Sequence, residues 1–117
     1  MGTILLCGHD AVVRDRVQDF LARCGYLVVA VSNVAVALAT FRSAPVDLVV
    51  VHTEEPDDVG AQVLGSLVRE FANVRVVALS SFPEHLAYVR AVGAEFGMCR
   101  PFDLGELPAL VRPERAN

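Results

Sequence analysis

The side chains best suited to chemistry in this sequence each follow directly after an apolar run. They are His9 and Asp10, His52 and Glu54, Ser80, and Arg100. These residue types can act in hydrolysis, metal coordination or oxyanion binding. A hydrolase triad of Ser80, His52 and Asp10 lacks the GxSxG turn that would expose its serine, and neither GxGxxG nor GxxxxGKS/T follows the first apolar run. We therefore assign no catalytic residue and predict that the chain is not an enzyme.

Five apolar runs alternate with helical stripes and form the elements that must position these side chains. Short continuous apolar runs are typical of strands that are covered on both faces. The predicted strands are residues 4–7, 27–31, 47–51, 74–79 and 96–99. Five such units joined by right-handed crossovers predict a doubly wound, flavodoxin-like α/β sandwich. The carboxyl ends of its strands share one edge of the sheet, where ligands bind in folds of this kind.

Local signals predict where several helices begin and end. Asp10 lies at an N-cap position, and Gly25 lies where the same helix needs a C-cap. Ser81 and Glu84 have the spacing of a capping box for the fourth helix. Pro108 removes a helical hydrogen bond, so the last helix is predicted to be short or irregular.

The remaining polar and sulfur-containing residues receive structural interpretations. His85 is predicted to be a solvated residue in the first turn of the fourth helix. The acidic pairs at residues 54–55 and 57–58 are predicted to form a solvated loop. Buried thiols in a reducing compartment are the prediction for the three cysteines, which are Cys7, Cys24 and Cys99.

The composition narrows the class of protein. The 117 residues suffice for one domain, and 54% hydrophobic with 21% charged residues exclude a disordered chain. A net charge of −4 argues against binding of nucleic acid, and the absence of lysine excludes Schiff-base chemistry. No apolar run approaches the roughly 18 residues of a membrane helix, and no basic stretch precedes the first apolar segment. We expect a cytoplasmic protein with no membrane contact.

The whole chain resembles a receiver domain of bacterial two-component response regulators, the CheY-like family. The matching segments are residues 4–6, 25–29, 44–51, 76–80, 93–94 and 100–103, together with Pro56 and Gly60. The resemblance implies a five-stranded parallel sheet in the order 2-1-3-4-5, a cis peptide bond before Pro101, and a role in phosphorelay signal transduction. We predict a receiver-like domain over residues 1–112 and a polar tail over residues 113–117.

The pocket in which that family is phosphorylated is degenerate in this sequence. Gly8 and His9 stand where the family has adjacent carboxylates, and His52 stands where it has the phosphoacceptor aspartate. Arg100 replaces the family's lysine, whereas Ser80 keeps the family's hydroxyl. Because Mg²⁺ requires hard oxygen ligands, we expect the Mg²⁺ site and phosphorylation to be lost. The resemblance is therefore to a pseudo-receiver that lacks the phosphoacceptor aspartate.

Three interpretations of the altered pocket remain open. In the first, His9 and His52 bond to neighbouring groups and have no further role. In the second, His9, His52 and Glu54 bind Zn²⁺ or Ni²⁺ through two nitrogens and a carboxylate. In the third, Arg100, Ser80 and His52 bind a small anion, unless the arginine pairs with a glutamate of the acidic loop. The second and third interpretations make the chain a small-ligand sensor.

With phosphorylation discounted, protein recognition is the predicted function. The resemblance implies a signalling partner, either a histidine kinase or an output protein. It places this partner on the face formed by the fourth helix, the fifth strand and the fifth helix, and it allows a homodimer. Gly97 stands where the family has a switch aromatic in the fifth strand. We therefore expect an interaction module without the family's phosphorylation-driven switch.

Overall fold

The computed structural model describes residues 2–111, so the predicted tail at residues 113–117 lies outside the described residues. Five strands alternate with five α-helices in this range. The strands are β1 (Thr3–Cys7), β2 (Leu27–Val31), β3 (Leu48–His52), β4 (Val76–Ser80) and β5 (Phe96–Cys99). The helices are α1 (Ala11–Arg23), α2 (Val34–Ser43), α3 (Val59–Glu70), α4 (Pro83–Val92) and α5 (Leu107–Val111). Across this range, every helix is too short or too polar to cross a membrane.

The five strands form one parallel sheet in the order β2-β1-β3-β4-β5, which confirms the predicted flavodoxin-like α/β fold. β3 ends one residue later than predicted, because His52 continues the ladder opposite Leu79. β4 likewise extends to Ser80, which lies opposite Cys99. His52 and Ser80 are therefore held in the sheet at the same edge.

Apolar side chains form two cores, one on each face of the sheet, because successive residues of a strand point to opposite faces. Val49 belongs to the core that includes residues of α2, α3 and α4. Val50 belongs to the core that includes residues of α1 and α5. All five residues of β3 are buried, so the continuous apolar run before His52 follows from coverage on both faces.

The helix ends confirm two sequence predictions and overturn one. Gly25 follows α1 with a φ of 97°, a conformation that favours glycine. Pro108 lies in the first turn of the five-residue α5, after a 3-10 helix at Leu104–Glu106, so the last helix is short and irregular as predicted. The predicted capping box of α4 is wrong, because α4 begins at Pro83 without any side-chain cap. Ser81 instead donates its hydroxyl to Glu54.

The cysteines differ in exposure. Cys7 is fully buried in β1, and burial raises the pKa of its thiol to about 12. Cys99 is half-buried, whereas Cys24, at the C-cap of α1, is exposed. The prediction of three buried thiols is therefore wrong for Cys24, because a helix-end position faces solvent.

Candidate functional site

The carboxyl ends of four strands bring the predicted pocket residues to one edge of the sheet. Gly8 follows β1, His52 ends β3, Ser80 ends β4 and Arg100 follows β5. The peptide bond between Arg100 and Pro101 is cis, as the resemblance implied. Four of the five strands, β1, β3, β4 and β5, therefore each place one predicted pocket residue at this edge.

Two glycines make room for the end of β3. A Cβ on Gly8 would lie 3.1 Å from the His52 Cβ and 3.3 Å from the His52 carbonyl oxygen. A Cβ on Gly60, in α3, would lie 2.9 Å from the His52 carbonyl carbon and closer still to its oxygen. Contacts this short with backbone cannot be relieved by a side-chain rotation. Glycine at these two positions lets β1 and α3 pack directly against His52.

His52 is almost completely buried, with 3% of its surface exposed. Its Nε2 lies 2.7 Å from Glu54 Oε2, and its ring meets the Phe102 ring edge-on at 6.2 Å between centroids. An ionised carboxylate can only accept, so the hydrogen lies on Nε2. The other ring nitrogen, Nδ1, is buried and has no hydrogen-bond partner among the described residues.

The carboxylate of Glu54 reaches back into the edge of the sheet and accepts four hydrogen bonds. Its Oε1 accepts from the Ser81 amide at 2.8 Å and the Ser80 hydroxyl at 3.1 Å. Its Oε2 accepts from the Ser81 hydroxyl at 3.0 Å and from His52. Partial burial raises the pKa of this carboxyl, but the bonds from Ser81 and His52 outweigh burial and hold the pKa below its ordinary value. Glu54 is therefore an ionised, well-bonded group.

Arg100 lies outside this cluster and supports it through one hydroxyl. Its Nε donates to Ser81 Oγ at 3.0 Å, and its guanidinium carbon lies 5.0 Å from the centre of the Phe102 ring. Within the described residues it forms no ion pair with Glu54 or Glu55, so the expected pairing with a loop glutamate is absent. Arg100 as a residue is exposed to solvent.

The end of β1 contributes little to the cluster. His9 is exposed, and Asp10 accepts from the Val12 and Val13 amides at 3.0 and 3.2 Å as the predicted N-cap of α1. The structure joins His52 to Glu54 but does not bring His9 to them. Across residues 2–111, no group of three or more His, Cys, Asp or Glu residues is placed to hold a metal ion. The predicted three-residue metal set is therefore not assembled.

A second hydrogen-bonded carboxylate, Asp58, was missed by the sequence analysis. It accepts from the Thr53 hydroxyl at 2.7 Å and from the Glu54, Glu55 and Ala61 amides at 2.7, 3.1 and 3.0 Å. Partial burial raises the pKa of Asp58, but these hydrogen bonds outweigh it and lower the pKa overall. The prediction of a solvated acidic loop is therefore wrong for Glu54 and Asp58. The position of Asp58 directly before a helical stripe was a usable N-cap signal.

His85 was also misjudged as a solvated residue. Only 7% of its surface is exposed, and its Nε2 lies 2.8 Å from the buried Thr53 hydroxyl. Because that hydroxyl donates to Asp58, the His85 Nε2 carries the hydrogen of the contact. This bond ties the first turn of α4 to the residue after β3. Its partners lie 32 positions apart, so no local sequence pattern signals it.

Comparison with curated proteins finds similarity over nearly the whole chain. The DNA-binding transcriptional regulator NtrC of Rhizobium meliloti (strain 1021) is 30% identical over 120 residues, covering 97% of this chain and 25% of that protein. NtrC of Bradyrhizobium sp. (strain RP501 Parasponia) is 28% identical over 112 residues, covering 94% and 23%. The chain spans about a quarter of the length of these relatives. No protein-family model matches it.

Solved receiver-domain structures superpose closely on this chain. The Francisella response regulator 1452 receiver domain has a TM-score of 0.80 at 19% identity, covering 95% of this chain and 93% of that one. TrrA of Thermotoga maritima, solved with Mg²⁺ and BeF, has a TM-score of 0.79 at 23% identity, covering 95% and 96%. A two-component response regulator of Clostridium difficile has a TM-score of 0.82 at 16% identity, covering 99% and 100%. The chain has the fold of response-regulator receiver domains.

Proposed function

We propose that this chain is a receiver-fold module of bacterial two-component signal transduction that is not phosphorylated and acts by binding protein partners. The observation that carries the proposal is the residue at the end of β3. His52 occupies that position, its Nε2 is bonded to Glu54, and it offers no carboxylate to accept a phosphoryl group. A cytoplasmic location, where such signalling operates, is part of the proposal.

The donor groups at this edge do not fit Mg²⁺. That ion takes oxygen ligands in near-octahedral geometry. Gly8 has no side chain, and His9 and His52 offer only nitrogen. Asp10 caps α1 through one of its carboxylate oxygens, and both oxygens of Glu54 are already bonded. Without a bound cation, the charge that develops in phosphoryl transfer lacks its main electrostatic partner. We therefore expect no phosphoryl transfer to this chain.

The proposed partner surface is the face that combines α4, β5 and α5. Two large apolar side chains are exposed on this face, namely Phe82 (51%), directly before α4, and Phe96 (41%), in β5. Gly97 brings β5 close to α4, because a Cβ there would lie 3.0 Å from Leu86 Cδ2. Gly97 itself has no side chain that could rearrange, which supports an interaction surface without the aromatic switch of the family.

Intact-mass spectrometry tests the absence of phosphorylation. The folded chain is incubated with acetyl phosphate and Mg²⁺, and TrrA of Thermotoga maritima serves as the matched receiver. We expect no mass gain on this chain under conditions that modify the control. A stoichiometric gain of one phosphoryl group would contradict the proposal. Peptide mapping would then show whether His52 carries the group.

Surface variants test the partner face. Phe96→Ser changes an exposed side chain of β5, and Val12→Ser changes an exposed side chain of α1, which is 69% accessible. Binding to the candidate histidine kinase or output protein is measured by titration calorimetry. We expect Phe96→Ser to weaken binding at least tenfold and Val12→Ser to leave it unchanged. Equal effects of the two variants would place the partner elsewhere.

A small-ligand sensor is the second candidate function, favoured by the buried His52 Nδ1 that lacks a hydrogen-bond partner. Such a nitrogen is a ligand type for Zn²⁺ or Ni²⁺. Thermal unfolding of chelator-treated protein is measured with Mg²⁺, Zn²⁺ and Ni²⁺, with His52→Gln as the variant. A saturable rise in Tm with Zn²⁺ or Ni²⁺ that is lost in His52→Gln would favour the sensor. No rise would favour the interaction module.

A further inference from the structure

The hydrogen bonds around Glu54 have the composition of an oxyanion-binding site. Four donors converge on one carboxylate, from the Ser80 hydroxyl, the Ser81 amide, the Ser81 hydroxyl and the His52 ring. Ser80 is fully buried and His52 nearly so, which removes water as an alternative partner. Buried donors of this kind require an acceptor, because an unpaired one loses the bonds it had in water.

The direction of each hydroxyl is set by a second donor behind it. Ser80 Oγ accepts from the Phe82 amide at 3.2 Å, and Ser81 Oγ accepts from the Arg100 guanidinium at 3.0 Å. Each hydroxyl therefore turns its own hydrogen toward Glu54. Arg100 lies outside the cluster and acts on it only by orienting Ser81 Oγ, so the cluster directs four hydrogen-bond donors inward. These donors can hold an anion, whether it is the Glu54 carboxylate or a free ligand.

We propose that the carboxyl ends of β3 and β4 form a binding site for a small oxyanion and that Glu54 occupies this site as a built-in ligand. The ligand class is a carboxylate, or a phosphate-like anion of similar size. Free anions are excluded from the wild-type chain, since all four donors are already bonded to Glu54. The site is defined by these contacts whether or not the chain binds signalling partners.

Occupation by Glu54 fixes the segment that leads into α4. Glu54 follows β3, whereas Ser81 and Phe82 connect β4 to α4, which begins at Pro83. The carboxylate thus joins two loops that are 27 residues apart in sequence. In wild-type protein the segment before α4 is held without any external ligand, so its position is independent of the anion concentration.

Chemical rescue of Glu54→Ala tests the site. The variant removes the carboxylate and leaves its donors, and Glu55→Ala is the matched control, because the Glu55 side chain is exposed. Tm is measured in sodium formate, acetate, phosphate and sulfate against sodium chloride at equal ionic strength. We expect Glu54→Ala to lose stability and then to gain several degrees of Tm, with saturation, in at least one oxyanion. Wild type and Glu55→Ala show no such gain.

Three results would overturn the proposal. The first is a folded Glu54→Ala with no saturable response to any of the four anions. The second is an equal response in wild type, which would show a general salt effect. The third is a rescue that persists when Ser81 is also changed to Ala and Arg100 to Gln. Rescue by formate and acetate alone would define a carboxylate site, and rescue by phosphate or sulfate would define one that admits tetrahedral anions.

Glu54→Leu provides a second test should Glu54→Ala fail to fold. The side chain keeps a similar volume but offers no acceptor to any of the four donors. Amide hydrogen exchange is then compared between wild type and Glu54→Leu at Ser81. We expect exchange at this amide to accelerate at least tenfold in the variant, while Glu55→Leu leaves it unchanged. Unchanged exchange at Ser81 would show that Glu54 does not hold the segment before α4.

Discussion

The two halves of the strand-end edge differ in how their polar groups are used. At the β1 end, which comprises residues 8–10, His9 is exposed and Asp10 serves as a helix cap. At the β3–β4 end, which comprises His52, Glu54, Ser80 and Ser81, every side chain takes part in one hydrogen-bonded cluster. The topology brings both halves to the same edge. Only the β3–β4 end forms a cluster of hydrogen-bonded side chains.

Burial explains the difference between the two halves. The buried hydroxyl and ring at the β3–β4 end need an acceptor, and Glu54 of the following loop supplies it. The exposed imidazole at the β1 end is satisfied by water and needs no partner. The carboxylate in the pocket therefore belongs to the loop after β3 and not to the end of a strand. Four substitutions sharpen this comparison, and they follow in order of decreasing effect.

Gly60→Ala is expected to have the largest effect, because the new Cβ would press on the His52 backbone at the β3–β4 end. We expect a loss of about 3 kcal/mol in the free energy of unfolding. Gly65→Ala in the same helix is the control, since its Cβ would meet only the tip of the Arg69 side chain. Urea denaturation measures both. Equal stabilities would show that α3 does not pack against His52 as described.

Asp58→Asn is expected to cost about 2 kcal/mol at pH 7, because it disrupts an N-cap that also binds Thr53 and two loop amides. The exposed Asp57 gives the control Asp57→Asn, which we expect to be neutral. The lowered pKa of Asp58 means that its contribution is complete above the ordinary value of 3.8 and is lost as pH falls through the lower folded value. Wild type and Asp58→Asn should therefore converge in stability below pH 3.8. A constant difference down to acid unfolding would contradict this assignment.

His85→Ala is expected to cost about 1.5 kcal/mol, since it leaves the buried Thr53 hydroxyl without the hydrogen bond that it accepts from His85. Glu84→Gln changes the preceding, exposed residue of the same helical turn and serves as the control. Thermal unfolding of the two variants is compared at pH 7. If His85 were solvated, as its sequence position suggested, both variants would retain wild-type stability.

His9→Ala is expected to have the smallest effect, within about 0.5 kcal/mol of wild type, because the side chain is exposed at the β1 end. Chemical denaturation with and without Zn²⁺ measures it. A large loss of stability, or a Zn²⁺ response present in wild type and absent from the variant, would show that His9 joins the pocket. The contrast between the two halves would then fail.

The fold could be predicted because local patterns carry it. The apolar run before His52 and the stripe after Asp10 reflect burial on two faces and on one face, respectively. These signals need no knowledge of distant residues, so the order of the elements and the parallel α/β fold were predicted correctly, whereas the strand order was implied by the resemblance to receiver domains. Strand ends were displaced by one or two residues, because a polar residue such as Ser80 can still continue the ladder.

The site could be predicted only in part, because its decisive contacts join distant segments. The sequence located the strand-end positions of His52 and Ser80, but not the role of Glu54. The bond from the Ser81 amide to Glu54 spans 27 residues, and the contact between His85 and Thr53 spans 32. The sequence shows that these residues can donate or accept hydrogen bonds. Their pairing depends on how the loops after β3 and β4 meet in the folded chain.

The central claim is that Glu54 closes the pocket and leaves no place for a phosphoryl group. An ¹H–¹⁵N NMR titration of the wild-type chain with acetyl phosphate and Mg²⁺ tests it most directly. The amides to follow are Ser81, which donates to Glu54, and Phe82, which donates to Ser80. Both resonances are predicted to stay unchanged throughout the titration. A saturable displacement of either resonance would show that the pocket opens to a phosphoryl donor and would contradict the claim.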